Sequence, residues 1–544
     1  MAMTRRNNKN DSIILNTIEE LVPQDHDVRM LESCIDWNFI YPLVENLYSD
    51  VGRPSIDPVV LFKMIFINII FGIGSMRKTC KEIQVNLAYR WFLGISMDER
   101  VPNYSTWSQN YIRRYSNSEV FEKIFDQILK QAISYGFVDM ETVYGDSTHQ
   151  KANANKNKYT DEEVEIMKKI YENDLLDEIN RDREEHGKKP IKKNEKEELN
   201  FDEETGKLKR DIQTKHIKIS KTDSESGCFH KGEKEKCFAY SHQTFCDRNG
   251  FVLASVCVAG NVHDSVSFFS AYKVLNDKYM DQIKNVCLDA GYITPAICKT
   301  ILENGQKMYA PYKRPMTKKG YYKKYEYVYD EGYDCYLCPN NKVLSYSTTN
   351  KLGYKEYKSN PKDCENCPLR GRCTSSKNFQ KVVTRHVWEE YREEVMDEIR
   401  HTPEWKEIYP RRKESIERVF ADCKEHHTLR YTRLRGLQKN QHQSLMIFAC
   451  HNLKRMSKWR WKNLSKTVEK LIKDIIFRCF NEKEKRYFFI KYHFVNNLKN
   501  VSSQIHFLCN QFEEINTSNS KKTALFKLFF PIFICKFLIF GMYF

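Results

Sequence analysis

Glu141-Thr-Val-Tyr-Gly-Asp146-Ser-Thr148 is the stretch from which the rest of the chain is read. Val143 and Tyr144 are strand formers, and the run delivers a carboxylate, so it predicts a buried strand ending in Asp146. Strand signals return at Phe238-Ala-Tyr-Ser-His-Gln-Thr-Phe-Cys246 and Phe251-Val-Leu-Ala-Ser-Val-Cys-Val258. Between them Asp247-Arg-Asn249-Gly250 carries an Asn-Gly pair, the strongest short-range hairpin signal. A helix is expected over Ser265 to Tyr279. Next comes a short buried strand, Asn285-Val-Cys-Leu-Asp289, ending in a second carboxylate. Thr294-Pro295 opens another helix, and Met308-Tyr-Ala-Pro311 reads as one more strand.

Strand, insertion, hairpin, helix, strand, helix, strand is a mixed α/β order that matches a ribonuclease H-like sheet core. Such sheets present reactive groups at strand carboxyl ends, so Asp146 and Asp289 are expected to meet at one edge. Residues 151–222 are almost wholly charged and polar. They lack the apolar residues for a core of their own and read as a solvent-facing helical insertion. Before the sheet, residues 21–118 read as an all-α domain with basic helices that include Arg113 and Arg114, in the manner of a helix-turn-helix array. Pro58 to Phe71 is apolar but interrupted by Lys63 and Asn68, which predicts a buried helix rather than a membrane span. Ser75 and Ser105 read as helix caps. The expected organisation is therefore a disordered start over 1–20, a helical DNA-binding domain over 21–118, and a catalytic domain over 138–460. That domain carries insertions at about 151–222 and 314–380, and a divergent tail covers 461–544.

Composition bounds this reading. Of 544 residues, 88 are Lys or Arg and 72 are Asp or Glu, a formal charge of +16 that favours a polyanionic partner, nucleic acid before a membrane surface. Apolar residues at 41% and aromatics at 13% exclude a disordered chain, collagen and a coiled-coil rod. A mean hydropathy of −0.65 excludes a polytopic membrane protein. The polar start leads into no apolar secretory segment. Eighteen cysteines without such a segment read as reduced thiols plus one metal site.

That site is expected where five cysteines crowd together. Cys335-x2-Cys338 and Cys364-x2-Cys367 give two pairs able to supply four thiolates to a structural Zn²⁺ in a knuckle, while Cys373 leaves the fourth ligand open. Further on, Arg411-Arg-Lys413-Glu-Ser-Ile-Glu417-Arg-Val-Phe-Ala-Asp-Cys-Lys424 has a helical pattern with Lys413, Glu417 and Lys424 on roughly one face. A basic run, Arg430-Tyr-Thr-Arg433-Leu-Arg435, follows. Two strand-end aspartates with a helical glutamate make an oxygen-only cage suited to two Mg²⁺ or Mn²⁺ ions. Two such ions activate a water or 3′-hydroxyl for in-line phosphoryl transfer.

Here the residues reach a family. The chain resembles DDE transposases of bacterial insertion sequences, in particular the insertion-sequence 1182 group, over roughly residues 20–462. The resemblance is carried by Gly52-Arg-Pro-Ser-Ile-Asp-Pro58, Gly145-Asp-Ser-Thr-His-Gln-Lys-Ala-Asn-Ala-Asn155, Lys221-Thr-Asp-Ser-Glu-Ser226 and Asn261-Val-His-Asp264. It continues through Cys287-Leu-Asp-Ala-Gly-Tyr292, Arg412-Lys-Glu-Ser-Ile-Glu-Arg-Val-Phe420 and His451-Asn-Leu-Lys-Arg455. It implies a catalytic triad of Asp146, Asp289 and Glu417 holding the two metals. It further implies DNA contacts from Lys413, Lys424, Arg433 and Arg435, and self-association, as a homodimer, on the element's terminal inverted repeats. The family signature Y-x2-R-x3-E-x6-K is met at Glu417 and Lys424, whereas Lys413 stands at the arginine position and Pro410 at the tyrosine position. The implied partners are the inverted repeats and target DNA, with no membrane partner, in a nucleoid-associated cytoplasmic protein. His149, His263 and Asp264 are expected near the sheet edge as structural or DNA-contacting groups, and Asp223 and Glu225 as turn and cap residues. The tail beyond Trp461, which ends in the apolar residues 525–544, reads as sequence translated from AT-rich flanking DNA after an altered stop. The rival reading is a non-catalytic, zinc-containing DNA-binding protein or repressor that descends from a transposase.

Overall fold

The structure, a computed structural model, describes residues 15–481 apart from Asp50, Arg53 and the segments 166–170, 192–213, 232–234 and 314–316. Most of the expected disordered start, the middle of the charged insertion and the apolar residues 525–544 therefore lie outside the described residues. Packing divides the chain into two units, one of residues 138–445 and one of residues 1–137 with 446–544.

In the first unit a large mixed sheet is built from Thr142–Lys151 (β1), Tyr159–Glu165 (β2), Thr214–Ser220 (β3), Gly227–Lys231 (β4), Glu235–Asp247 (β5), Val252–Ala259 (β6), Asn285–Cys287 (β7) and Lys307–Tyr309 (β8). The strand order is β2-β3-β4-β5-β1-β7-β8, with β6 also on β5. β5 runs antiparallel to both β1 and β6, and β7 and β8 run parallel to β1. This mixed α/β arrangement is consistent with a ribonuclease H-like domain. The Asn-Gly signal is realised as the turn from β5 to β6, where Gly250 takes φ 78°, a left-handed conformation that costs glycine little. Helix Asp264–Tyr279 starts one residue before the expected Ser265, capped by His263, and Pro295–Glu303 starts where Thr294-Pro295 predicts. Val143, Tyr144, Phe245, Leu253, Val286 and Met308 fill the interior; each buried side chain of this size contributes about 1.5–3 kcal/mol.

Three expectations are corrected here. Asp146 does not end its strand: β1 continues to Lys151 because β5 is long enough to pair with it as far as Lys151↔Ala239. What ends beside Asp146 is the parallel partner, since β1 pairs with β7 only from Thr142 to Tyr144. Second, the charged insertion is not a solvent-facing helical arm. β2 and β3 pair antiparallel and widen the main sheet. Its helix Glu172–Glu185 docks on a second sheet, formed by the other insertion. That sheet is antiparallel, in the order β13-β12-β11-β10-β9, and comprises Val328–Asp330 (β9), Cys335–Leu337 (β10), Val343–Thr349 (β11), Tyr354–Ser359 (β12) and Val382–His386 (β13). Its core is aromatic: Tyr327, Tyr336, Leu344, Tyr357 and Val383. Asp182, itself buried, is the reason the helix docks, because its carboxylate meets Lys355 Nζ at 2.5 Å and accepts from the Thr349 hydroxyl. His186, one turn on, stacks on Tyr346 and meets Asp334 at 2.7 Å. Third, residues 409–426 are not one helix. Tyr409–Lys413 is a 3₁₀ turn and the α-helix is Ile416–His426, so Lys413 does not share a helical face with Glu417.

The second unit shows helices and no strand among its described residues. Pro58–Ile70 is buried on nearly every face, capped by Asp57, and Lys63 within it is held by Glu32 at 2.8 Å and by Phe92 O at 3.0 Å. That ion pair is how a lysine sits in an apolar helix that spans nothing. Trp37 packs edge-on against Phe66 and Phe92. The helix expected to start at Ser105 starts instead at Tyr104, capped by Asn103. Arg113 and Arg114 lie in a π-helical segment, Tyr111–Tyr115. Among the described residues no helix is long and apolar enough to cross a membrane.

Candidate active site

The site forms where β7 stops and β1 continues. β1 carries Asp146 one pleat past the last β7 pairing. Asp289 follows β7 by two residues and caps a short turn by accepting from the Gly291 N–H. Glu417 stands in the first turn of Ile416–His426, where a carboxylate favours the helix dipole. Two of the three acids, Asp146 and Glu417, meet one cation that the sequence reading did not assign, Arg412, and the charge of Asp289 acts on the same pair. The Arg412 guanidinium lies 2.5 Å from Asp146 Oδ2 and 3.3 Å from Glu417 Oε1. The Arg412 side chain is only 8% exposed, against 22% for Asp146 and 49% for Glu417. The arrangement is thus a buried cation with carboxylates opening from it towards solvent.

The charges respond accordingly. Burial pushes the Asp146 carboxyl above the ordinary aspartate range and the negative Asp289 adds to this, against the opposing pull of Arg412 and the Ser147 N–H. Burial opposes the charge on Arg412, yet Asp146 and then Asp289 hold it above its usual value. Tyr292 is raised far above the phenol range, by burial first and then by Asp146. Its hydroxyl donates to Gln243 Oε1 at 2.9 Å. Tyr409 is raised by burial, with the charges of Asp289 and Glu417 nearby, and its ring stacks on Trp405.

Arg412 was legible in retrospect. Tyr409-x2-Arg412 is an intact Y-x2-R, with one residue more than the signature before Glu417. The junction between the 3₁₀ turn and the α-helix, where Ser415 takes φ −98° and ψ −97°, absorbs that residue. Lys413, expected at the arginine position, is exposed instead.

Lys424 lies on Ile416–His426, half-buried, and its charge reaches the buried His242. Arg433 and Arg435 are exposed on a segment that runs beside the end of β1. Thr432 N–H donates to Lys151 O, Asn153 donates to Arg433 O at 2.9 Å, and Arg435 Nε donates to Asn153 O at 3.2 Å. Arg113 is exposed. Arg114 is engaged internally, over the Tyr48 ring and with Asn110, and both belong to the helical unit. Asp223 and Glu225 are cap residues, as expected, but of a distant helix: they accept from the N–H groups of Gly436 and Leu437. His149 stacks on Phe229, and His263 caps the helix that Asp264 begins.

Of the cysteines expected at zinc, Cys335 stands in β10 and the others outside it. Cys335 and Leu337 lie in a strand, and three residues of extended chain span about 10 Å. Two thiolates on one Zn²⁺, each bonded at about 2.3 Å, stand far closer than that. Cys338 follows β10 and lines a cavity that Cys364, Cys367 and Cys373 also line.

Two stretches of the chain match known families. Residues 337–457 match the family described as Transposase DDE domain, and residues 16–113 match that described as Transposase domain (DUF772). A search of curated proteins finds none that matches the chain. The two matches support a DDE transposase of an insertion sequence. DDE domains process DNA, and they generally use divalent metal ions.

Proposed function

We propose that the chain binds the terminal inverted repeats of its own element, of the insertion-sequence 1182 type, and cuts and joins DNA strands with Asp146, Asp289 and Glu417 as its catalytic acids. The reading is carried by Arg412, which bridges Asp146 and Glu417 and feels the charge of Asp289. A binding protein has no use for three acids gathered beside a phosphodiester, because alone they would repel it. The residues suit hard divalent ions: every donor is a carboxylate oxygen, and the cluster already draws a cation into its midst.

Asp146, Asp289 and Glu417 would hold the ions. When bound, Mg²⁺ or Mn²⁺ supplies Lewis-acid activation of the attacking oxygen and neutralises charge building on the phosphate. The protein side of the chemistry is positioning. Packing of β1 between β5 and β7 fixes Asp146, the cap to Gly291 fixes Asp289, and the helix start fixes Glu417. Arg433 and Arg435 stand on one exposed segment and fit the sugar-phosphate backbone, as does Lys413. Water attacks first, freeing a 3′-hydroxyl, and that hydroxyl then attacks target DNA; neither step needs a covalent enzyme intermediate. The protein acts as a homodimer on paired ends, at the bacterial nucleoid.

A labelled duplex carrying the flanking inverted repeat tests this, incubated with Mg²⁺ and either wild type or Glu417→Gln. Wild type should nick at the element end and join that end to a plasmid, and Glu417→Gln should bind without cutting. Cutting by Glu417→Gln at the wild-type rate would overturn the assignment. Tight end-binding by a wild type that never cuts would favour the rival, an inactive repressor descended from a transposase.

A further inference from the structure

We propose that Cys338, Cys364, Cys367 and Cys373 form a tetrathiolate Zn²⁺ site that pins the loop between β12 and β13 onto the β10–β11 turn, and that Cys335 takes no part. The four sulfur-bearing residues come from three pieces of chain that share one cavity. The first piece is the turn after β10. Asn341, at φ 52°, closes it by donating its N–H to Cys338 O at 2.7 Å, while the Lys342 N–H points at Cys338 Sγ at 3.3 Å. A backbone N–H directed at sulfur from a tight turn is what a thiolate ligand needs, because it offsets the charge that the metal leaves on sulfur. The second piece is Pro361–Glu365, a short helix whose end places Cys364 and Cys367 on one turn, with Cys367 N–H donating to Cys364 O. The third is Arg370–Cys373, which brings Cys373 back to the cavity.

Cross-contacts join the pieces. Asn340 Nδ2 lies 3.6 Å from Cys367 Sγ, so the first turn already reaches the second piece. Cys364 Sγ is 3.2 Å from Ser359 Oγ at the end of β12, and Cys373 Sγ is 3.1 Å from the Tyr327 hydroxyl. Tyr327 also belongs to the aromatic core of the second sheet, against which Cys338 and Cys373 pack. The site would therefore fasten the loop to that core. Lys342, Arg370 and Lys381 line the same cavity and compensate the two negative charges by which four thiolates exceed one Zn²⁺. No three of the sulfurs yet lie mutually within 4.8 Å, so metal binding should draw the loop inward.

Cys335 stands apart. It pairs across the sheet with Ser345 and Asp330, and the charges it feels are those of Asp330 and Asp334, not of another thiol. It is buried and does not line the cavity.

The test uses the full chain, purified without chelator. Elemental analysis should find one zinc per chain in wild type and in Cys335→Ser, and less than half of that in Cys373→Ser. Replacement of zinc by Co²⁺ should give the charge-transfer and d–d bands of a tetrahedral four-sulfur site in wild type, shifted and weakened in Cys373→Ser. Should Cys373→Ser fail to fold, thiol mapping of wild type decides. Alkylation of Cys338, Cys364, Cys367 and Cys373 should rise several-fold on adding chelator, while that of Cys335 stays constant. Zinc lost from Cys335→Ser and kept by Cys373→Ser would overturn the proposal. So would wild type purified with iron or with no metal, or chelator-independent labelling of all five thiols.

Discussion

Arg412 and Asp146 form an ion pair 2.5 Å long that is withdrawn from solvent on the arginine side, and the same guanidinium reaches Glu417. The cation thus sits among the carboxylates assigned to metal. Arg412→Gln should lower the melting temperature measured without divalent ions, since breaking a buried pair costs about 3–5 kcal/mol. It should also enlarge the rise in melting temperature on adding Mg²⁺, because the metal then restores the missing charge. Equal Mg²⁺-induced rises in variant and wild type would separate Arg412 from the metal cluster.

Removing the charge of Asp146 should act on chemistry rather than on binding. Asp146→Asn should leave gel-shift affinity for the terminal repeat within about twofold and reduce strand cleavage at least about 100-fold, the scale of losing one main electrostatic group. Normal cleavage by this variant would exclude Asp146 from the reaction.

Behind Asp146 the backbone is tightly seated. A β-carbon on Gly145 would stand 2.5 Å from Phe245 Cε1 and 2.7 Å from a Leu288 methyl. Gly145→Ala should therefore destabilise the sheet unit by about 1–3 kcal/mol, the usual cost of overpacking. A shift in urea midpoint measures it, and an unchanged midpoint would show that β1 moves freely there.

His242 sets a pH dependence. It is fully buried with Nε2 3.0 Å from Gln150 Oε1. Burial, aided by the charges of His149 and Lys424, lowers its pKa to about 3. The folded chain keeps this imidazole neutral while the unfolded chain takes up a proton below about pH 6.5. Its contribution is thus complete above that pH and lost as pH falls towards 3. Between pH 7.5 and 5 wild type should lose about 2 kcal/mol through this residue. In His242→Gln that share of the slope should vanish, and identical slopes in urea titrations would refute it.

Much of the sheet was readable because its signals are local. Asn249-Gly250 marks its hairpin, Thr294-Pro295 its helix start, and Val143-Tyr144 its buried strand. The three acids were proposed from residue type and chain order. The companion of the acids was not, because Arg412 and Lys413 are adjacent and only the 3₁₀ turn decides which one faces inwards. Cys335-x2-Cys338 met a related limit: spacing alone does not say that Cys335 enters a strand, and β10 is defined by its neighbours β9 and β11. The charged insertion misled because its strands draw on pairing partners far along the chain, so low local hydrophobicity looked like solvent exposure.

The contact of Asp182 with Lys355 and Thr349 joins two segments that are more than 150 positions apart in the chain. Each insertion covers polar groups that the other leaves buried. A minimal form made by trimming only one would expose half of a joint. Grafting onto a related scaffold would meet the same requirement, so the two segments are expected to be exchanged, shortened or lost as a pair.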